Sequence, residues 1–280
     1  MSKFRGQSVA DADRDVRQYL IRVAGTLGDL LGDTLVGLYV HGSLATGAYH
    51  RERSDVGLIA IVGRRLSAKE REALARTLVR LSDARPMWGD IEVSVLQERY
   101  ARTFEHPLPY EVHYSSLLHE AIRRGRVDYS RDEAGVDLAA QVLETRERGV
   151  TLVGPAPELL FGPVPWHAYV NALEADFNWA QGRIAEQPVY VILNACRILH
   201  GATASVMRPF NKDEAAVWAL EKVPPEYHSA INDALQLYRG TKAADDVVFD
   251  HARIAAFRDY VRTHAQPAFA RASDNGEEDE

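Results

Sequence analysis

Apolar residues in the first part of the chain occur both at helical spacing and in short continuous runs. Residues 8–31 have helical spacing, which predicts a helix that ends at Gly32–Asp33. Residues 67–83 predict an amphipathic helix, in which Ser67 and Glu70 have the spacing of a capping box. Three apolar runs predict strands at residues 35–40, 56–62 and 90–96. This order of elements is typical of an α/β domain with a small mixed sheet.

The second half of the chain has a different pattern. After a Pro-rich joint at residues 161–166, apolar positions recur at helical spacing almost without interruption. The predicted helices are residues 166–184, 188–204, 212–222, 225–238 and 250–264. We therefore predict an α/β domain at 1–158, an all-α helical bundle at 159–268 and a disordered acidic tail at 269–280.

The composition is that of a globular protein. The chain has 280 residues, of which 46% are hydrophobic, enough for one large core or two smaller ones. No apolar run reaches the roughly 18 residues that a membrane-spanning helix needs, and the N-terminus lacks the apolar segment of a secretory signal. We expect a cytoplasmic protein with no membrane partner. The single cysteine, Cys196, lies among apolar residues and is expected in the core.

The net charge of the chain argues about which kinds of molecule it binds. The formal net charge is −7, whereas a protein that binds duplex nucleic acid needs a basic surface to displace counterions. The sequence therefore argues against a nucleic-acid partner and suits a small cationic molecule better. A monomer and a small homo-oligomer both remain open.

Candidate chemistry lies in the polar connection between the first two predicted strands. A tight turn at Gly42–Ser43 lets backbone N–H groups approach phosphates, and the serine hydroxyl adds a donor. Asp55, at the start of the next strand, can hold a divalent cation against those phosphates. In two-metal phosphoryl transfer, two carboxylates alternate on one strand and a third comes from a neighbouring strand. Asp55 and Glu92 fill the first and third of these places.

Two further residues near these acids have open roles. Asp90 is two residues from Glu92, so the two would share a face of their strand, and we count Asp90 as a third candidate metal ligand. A polar residue at strand entry is the alternative. Glu92 itself stands in an apolar strand, where a carboxylate needs a partner or water. His41, directly before Gly42, either lines the phosphate site or packs at a strand end.

Several blocks of sequence resemble one known family. A Gly-Ser turn, a loop and then Ser-Asp followed by apolar residues is the pattern of polymerase-β-like nucleotidyltransferases. The segments RERGVTLVGPAPELLFGPVP, NACRIL, NKDEAAVWALEKVPPEY and LQLYRG resemble the streptomycin/spectinomycin (aminoglycoside) nucleotidyltransferases with a helical C-terminal domain. The resemblance covers roughly residues 35–265 in order, so we expect a polymerase-β-like α/β domain with a mixed sheet followed by an all-α domain.

This resemblance implies a reaction and a set of site residues. It implies an active cleft between the domains, Mg²⁺, ATP as donor, and transfer of AMP to a hydroxyl of an aminoglycoside-like acceptor, as in antibiotic resistance. Gly42 and Ser43 would hold the triphosphate, Asp55 would bind metal, and Glu92 would be a ligand or the general base. Arg197 in NACRIL and Lys212 in NKDEAA would neutralise phosphate charge.

The chain departs from the family at the second acid of the metal site. Members of the family have Ser-Asp-x-Asp, whereas this chain has Ser54, Asp55, Val56 and Gly57. Glycine has no side chain to coordinate a metal. Three explanations remain open. Another acid such as Asp90 substitutes, or the site uses one metal or catalyses a different reaction, for example in natural-product biosynthesis. In the third, the protein binds a ligand without transferring a nucleotide or is an engineered inactive form.

The acceptor side departs as well. Streptomycin-type members have a tryptophan and acidic residues at the rim of the cleft. No tryptophan occurs around Leu117, and Arg183 and Gln187 stand where acids are expected. Three acids, Glu174, Asp176 and Glu186, lie nearby, and Trp179 could supply an aromatic wall. These differences argue against streptomycin itself as the acceptor.

Overall fold

The computed structural model describes residues 6–277, which form two compact units divided between Val164 and Pro165. The strands of the first unit are β1 (Leu35–His41), β2 (Val56–Val62), β3 (Ile91–Gln97), β4 (Leu108–Tyr110), β5 (Val112–Tyr114), β6 (Glu133–Gly135) and β7 (Val150–Val153). Its helices are α1 (Arg14–Leu31), α2 (Ser43–Thr46), α3 (Ala68–Asp83), α4 (Glu98–Arg102), α5 (His119–Arg123), α6 (Leu138–Arg148) and α7 (Pro157–Leu160). The three predicted strands and two predicted helices are present, and the Ser67–Glu70 capping box is confirmed.

The main sheet is mixed, as predicted. Its strand order is β5-β3-β2-β1-β7, with β2 and β3 parallel and the other neighbours antiparallel. Alternate residues of the central strands, such as Val40, Leu58 and Val93, share a core with apolar residues of α1 and α3. Because successive side chains point to opposite faces, the residues between them face away from that core. This second face carries the candidate site.

The first unit ends six residues later than the predicted boundary at 158/159. Helix α7 and the residues after it belong to the α/β unit because they are bonded to it. The Gly162 N–H donates to the Ala101 carbonyl at 2.8 Å. The Phe161 ring makes an edge contact with Tyr39 of β1, with 5.2 Å between ring centroids.

The second unit is helical, as predicted from apolar spacing. Its helices are α8 (Trp166–Ala180), α9 (Pro188–Thr203), α10 (Lys212–Leu220), α11 (His228–Arg239) and α12 (His251–Glu277). Helix α9 is central and contacts each of the others. Cys196 on α9 is fully buried, as expected for a core residue, and burial raises the pKa of its thiol. None of the helices in the described range 6–277 is long and apolar enough to cross a membrane.

The acidic tail is shorter than predicted. Helix α12 continues to Glu277, so residues 269–277 are helical and not disordered, while residues 278–280 lie outside the described range. The helix continues because its apolar stripe does. Val261, Ala265, Phe269 and Ala272 are all buried, at the spacing of one helix face. The acidic residues that follow position 273 suggested disorder for the whole segment, although the apolar stripe continues to Ala272.

A buried histidine makes the stability of the helical unit depend on pH. The His200 ring stacks on Phe210, with centroids 3.6 Å apart, and lies nearly perpendicular to the Trp218 ring. Burial, followed by the positive charge of Arg208, lowers the pKa of His200 below its usual value. The unfolded chain therefore binds this proton more readily than the folded chain. The free energy of unfolding should fall as the pH drops through about 6.5 toward the lower folded pKa.

We expect His200→Phe to flatten the pH dependence of unfolding between pH 7 and pH 5, measured by urea denaturation followed by circular dichroism. The phenyl ring keeps the aromatic contacts and removes the titrating group. His251→Phe, at an exposed position, should keep the wild-type pH dependence. Parallel curves for wild type and His200→Phe would contradict this assignment.

Candidate active site

Three neighbouring strands place one residue each in a row across the second face of the sheet. Gly57 of β2 pairs with His41 of β1 on one side and with Glu92 of β3 on the other. After His41, the chain turns through Gly42, whose φ of 73° is a conformation that favours glycine. Ser43 then begins the short helix α2. The predicted Gly-Ser turn therefore lies next to the row.

Asp55 lies directly before β2, two residues from Gly57. Its side chain is exposed, and its Oδ1 accepts a hydrogen bond from the Asp90 N–H at 2.7 Å. Gly89 makes this possible, because a Cβ there would lie 2.1 Å from the Ser54 carbonyl oxygen. The close approach of these two backbone segments holds the Asp55 carboxylate at the entrance of the strand.

Glu92 has the partner that its apolar surroundings predict. Its Oε1 accepts a hydrogen bond from Gln141 Nε2 on α6 at 2.9 Å. Gln141 Oε1 in turn accepts from the Ser94 hydroxyl at 3.1 Å. Since Ser94 fixes the oxygen end of the amide, the nitrogen end is directed at Glu92. Half-buried Glu92 is thereby held in one orientation.

Asp90 does not share a face of β3 with Glu92, which corrects the expected geometry. The strand begins at Ile91, so Asp90 lies outside its regular alternation. The Asp90 carboxylate accepts hydrogen bonds from the Ser82 hydroxyl on α3 at 2.6 Å and from the Ile91 N–H at 2.7 Å. It therefore orders the strand entrance, which was the alternative reading of this residue.

The second acid of a two-metal site would need the volume beside Gly57. No group of three or more His, Cys, Asp or Glu side chains among residues 6–277 could hold a metal ion. Instead of a carboxylate, the imidazole of His41 lies over Gly57, and it is only 5% exposed. His41 Nδ1 lies 3.8 Å from Glu144 Oε2 on α6. Of the two roles that the sequence allows for His41, a phosphate-site residue or a packed residue at a strand end, its burial agrees with packing and its place beside Gly42 agrees with the phosphate site.

Arg197 and Lys212 belong to one cluster in the helical unit. Arg197 pairs with Asp176 at 2.5 Å, and the Tyr190 hydroxyl donates to the same carboxylate at 2.8 Å. Lys212 Nζ lies 4.3 Å from the centre of the Tyr190 ring. The two predicted phosphate-binding cations are thus brought together around Tyr190.

The predicted aromatic wall extends this cluster. Trp179 makes an edge contact with Tyr190 at 5.5 Å and is 38% exposed. The Arg183 guanidinium lies 3.5 Å from the centre of the Trp179 ring. This contact places one positive charge on the Trp179 ring, which does not favour a polycationic sugar against that ring.

Sequence reasoning missed the residues on α6. Gln141 and Glu144 are adjacent on one face of that helix and contact Glu92 and His41 respectively. Ser94 was missed as well, although a serine inside an apolar strand was a visible signal. Nothing in the sequence indicated which strand residues α6 would cover.

The comparisons with known proteins agree with this architecture. The family model "Aminoglycoside adenylyltransferase, C-terminal domain" matches residues 159–264. An aminoglycoside (3'') (9) adenylyltransferase of Shigella flexneri is 31% identical over 232 residues, which cover 81% of this chain and 86% of the relative. A spectinomycin 9-adenylyltransferase of Staphylococcus aureus is 26% identical over 219 residues, 76% of this chain and 81% of the relative.

A solved structure supports the fold. The spectinomycin adenyltransferase AAD(9) from Enterococcus faecialis, solved with ATP and spectinomycin, matches with a TM-score of 0.75 at 19% identity. The match covers 90% of this chain and 99% of that one. At 19% identity this structural match establishes the fold alone. The relatives above 30% identity establish the family. Together with the Gly-Ser turn, Asp55 and Glu92, they show that this chain belongs to the aminoglycoside adenylyltransferase family.

Proposed function

We propose that this protein transfers AMP from ATP to a hydroxyl group of an aminoglycoside-like or other small hydroxylated acceptor. The observation that carries the proposal is the placement of Asp55 at the entrance of β2 and of Glu92 on the neighbouring strand β3, beside the Gly42–Ser43 turn. Relatives named as aminoglycoside or spectinomycin adenylyltransferases support the acceptor class, and a structural neighbour solved with ATP supports the donor. With an aminoglycoside as acceptor, the reaction would be one of antibiotic resistance.

The residues have separate roles in this reaction. The Gly42–Ser43 turn binds phosphate oxygens through backbone N–H groups and the serine hydroxyl. Glu92 accepts the proton of the acceptor hydroxyl, whose oxygen forms a bond to the α-phosphorus of ATP. The bond between the α-phosphorus and the bridging oxygen breaks, and pyrophosphate leaves with the electron pair. Arg197 and Lys212 are proposed to neutralise phosphate charge.

Asp55 and Glu92 are suited to bind one divalent ion that is also coordinated by the nucleotide phosphates. Mg²⁺ usually binds through one or two carboxylates together with substrate phosphates, and Asp55 and Glu92 are the two carboxylates proposed for it. When bound, the ion would neutralise charge on the phosphates. A second ion is not proposed, because the His41 ring fills the volume beside Gly57 where a further carboxylate would be needed.

The acceptor is proposed to be less cationic than streptomycin. Asp176, the acid closest to Trp179 in the sequence, is already bonded to Arg197 and Tyr190. Arg183 covers one face of Trp179. A hydroxylated acceptor with few positive charges, of which spectinomycin is an example, is more compatible with this surface.

A second candidate function follows from the same glycine. A family member without the second metal acid could bind nucleotide or acceptor without transferring AMP, or could catalyse another reaction at the same place. The observation that favours it is the imidazole that fills the position of that acid.

The test is product formation from ATP and Mg²⁺ with a panel of aminoglycoside and aminocyclitol acceptors, detected by mass spectrometry. We expect an AMP adduct of at least one acceptor. Glu92→Gln should lower kcat by about 10²-fold or more because the proton acceptor is lost. Asp55→Asn should lower it similarly. Glu147→Gln, at an exposed position of α6, is the control and should retain wild-type turnover.

Two outcomes would count against the proposal. If calorimetry detects no binding of ATP with Mg²⁺, the nucleotide-using reaction is excluded. If ATP binds but no acceptor in the panel is modified, the second candidate function is favoured. Turnover that is unchanged in both acid variants would place the reaction elsewhere in the chain.

Gln141 should control turnover through Glu92. We expect Gln141→Met to lower kcat about tenfold with little change in the KM for ATP. The substitution removes the hydrogen bond that orients the Glu92 carboxylate and leaves the proposed phosphate contacts in place. Gln141→Glu should be worse, since it places a second negative charge beside Glu92. A loss that appears mainly in the KM for ATP, or an equal loss in Glu147→Met on the exposed side of α6, would contradict this role.

A further inference from the structure

The space beside Gly57 is already filled. A Cβ built on Gly57 would lie 2.6 Å from Cε1 and 2.8 Å from Nε2 of His41. Cβ atoms in proteins essentially never lie closer than 3.0 Å to another heavy atom of this kind. Gly42, in contrast, has no atom within 4 Å of a Cβ built on it among the described residues. The absence of an acid at position 57 is therefore not an open gap in the site. The His41 ring occupies the volume that a side chain at 57 would need.

His41 is held in a way that indicates a ligand. The residue is 5% exposed, and neither ring nitrogen has a hydrogen-bond partner within residues 6–277. The nearest charged group is Glu144 Oε2, 3.8 Å from Nδ1, on a side chain that is 15% exposed. Buried polar groups without partners cost free energy, so they are usually satisfied by water or a ligand. His41 directly precedes the Gly42–Ser43 turn, where the proposed phosphates would lie.

An imidazole in the place of the family's second aspartate also changes the charge of the site. An aspartate at 57 would add a carboxylate to Asp55 and Glu92, and three acids suit two divalent ions. Imidazole in that place adds no negative charge and can donate a hydrogen bond to a phosphate oxygen. The site is therefore less attractive to a second cation and gains a donor for an anion.

We propose that His41 and Gly57 act as one unit, in which the imidazole takes the place of the second metal-binding carboxylate. The site then holds only the divalent ion that arrives with the nucleotide, and a ring N–H of His41 contacts a phosphate oxygen. This inference rests on the proposed nucleotide-binding function. Its structural part, the shared volume of His41 and position 57, can be tested without a nucleotide.

The first experiment is a thermal-unfolding cycle of wild type, Gly57→Ala, His41→Ala and the double variant. Gly57→Ala should lower the Tm by about 3 °C or more because the added methyl group displaces the buried ring. In the His41→Ala background the same substitution should have little effect. An equal loss of Tm in both backgrounds would overturn the shared volume, whether or not the protein binds ATP.

The second experiment counts bound Mn²⁺ by electron paramagnetic resonance, with a non-hydrolysable ATP analogue at saturation. Wild type should bind one ion per nucleotide, because position 57 supplies no carboxylate and the His41 ring fills the volume beside it. His41→Ala/Gly57→Asp should bind two. Two ions in wild type, or one ion in the double variant, would overturn the proposal. If the analogue binds to no variant, the proposed nucleotide-using function fails, which the first experiment distinguishes from a failure of the His41–Gly57 unit.

A third measurement keeps the proposal testable if the double variant does not fold. His41→Ala alone should weaken binding of the ATP analogue about tenfold in calorimetry, as expected for the loss of a charge-assisted hydrogen bond. His119→Ala, in the same unit but bonded to Tyr114, is the matched control and should bind the analogue like wild type. Equal affinity of His41→Ala and wild type would overturn the phosphate contact.

Discussion

The pairing of β1, β2 and β3 in one register is the constraint on which the site depends. This register places His41, Gly57 and Glu92 side by side on the face of the sheet that points away from the main core. A shift of one residue in either pairing would turn these side chains into the core and bring apolar ones out. The buried residues on the opposite face, packed on α1 and α3, hold the register in place. The stability of the core therefore fixes the geometry of the candidate active site.

Much of the fold could be predicted from the sequence because its elements are defined by local patterns. Strand β2 begins and ends where its apolar run does, and α3 begins at its capping box. The predictions that needed correction depended on tertiary contacts. Phe161 joins the α/β unit through Tyr39, which moves the domain boundary. The end of α12 is set by buried Phe269 and Ala272, although the nearby acidic residues suggested a disordered tail.

The candidate site was predictable where its residues lie close in sequence and not where they meet only in three dimensions. Gly42, Ser43 and Asp55 belong to one local motif, and Glu92 was conspicuous as a charge in an apolar strand. Gln141, which orients Glu92, comes 49 residues later on a helix with no sequence signal for its partner. Gly57 could be read as a missing ligand from sequence alone. That His41 fills its place is a steric fact, visible only when the two strands are paired.

We propose that this family member binds nucleotide in a site where an imidazole has replaced a metal-binding acid. A crystal structure with Mn²⁺ and a non-hydrolysable ATP analogue, with ions located by anomalous scattering, tests it most directly. We expect one manganese peak beside Asp55 and Glu92, with a nitrogen of His41 at about 3 Å from a phosphate oxygen. Two manganese peaks, with the His41 ring displaced from Gly57, would contradict it.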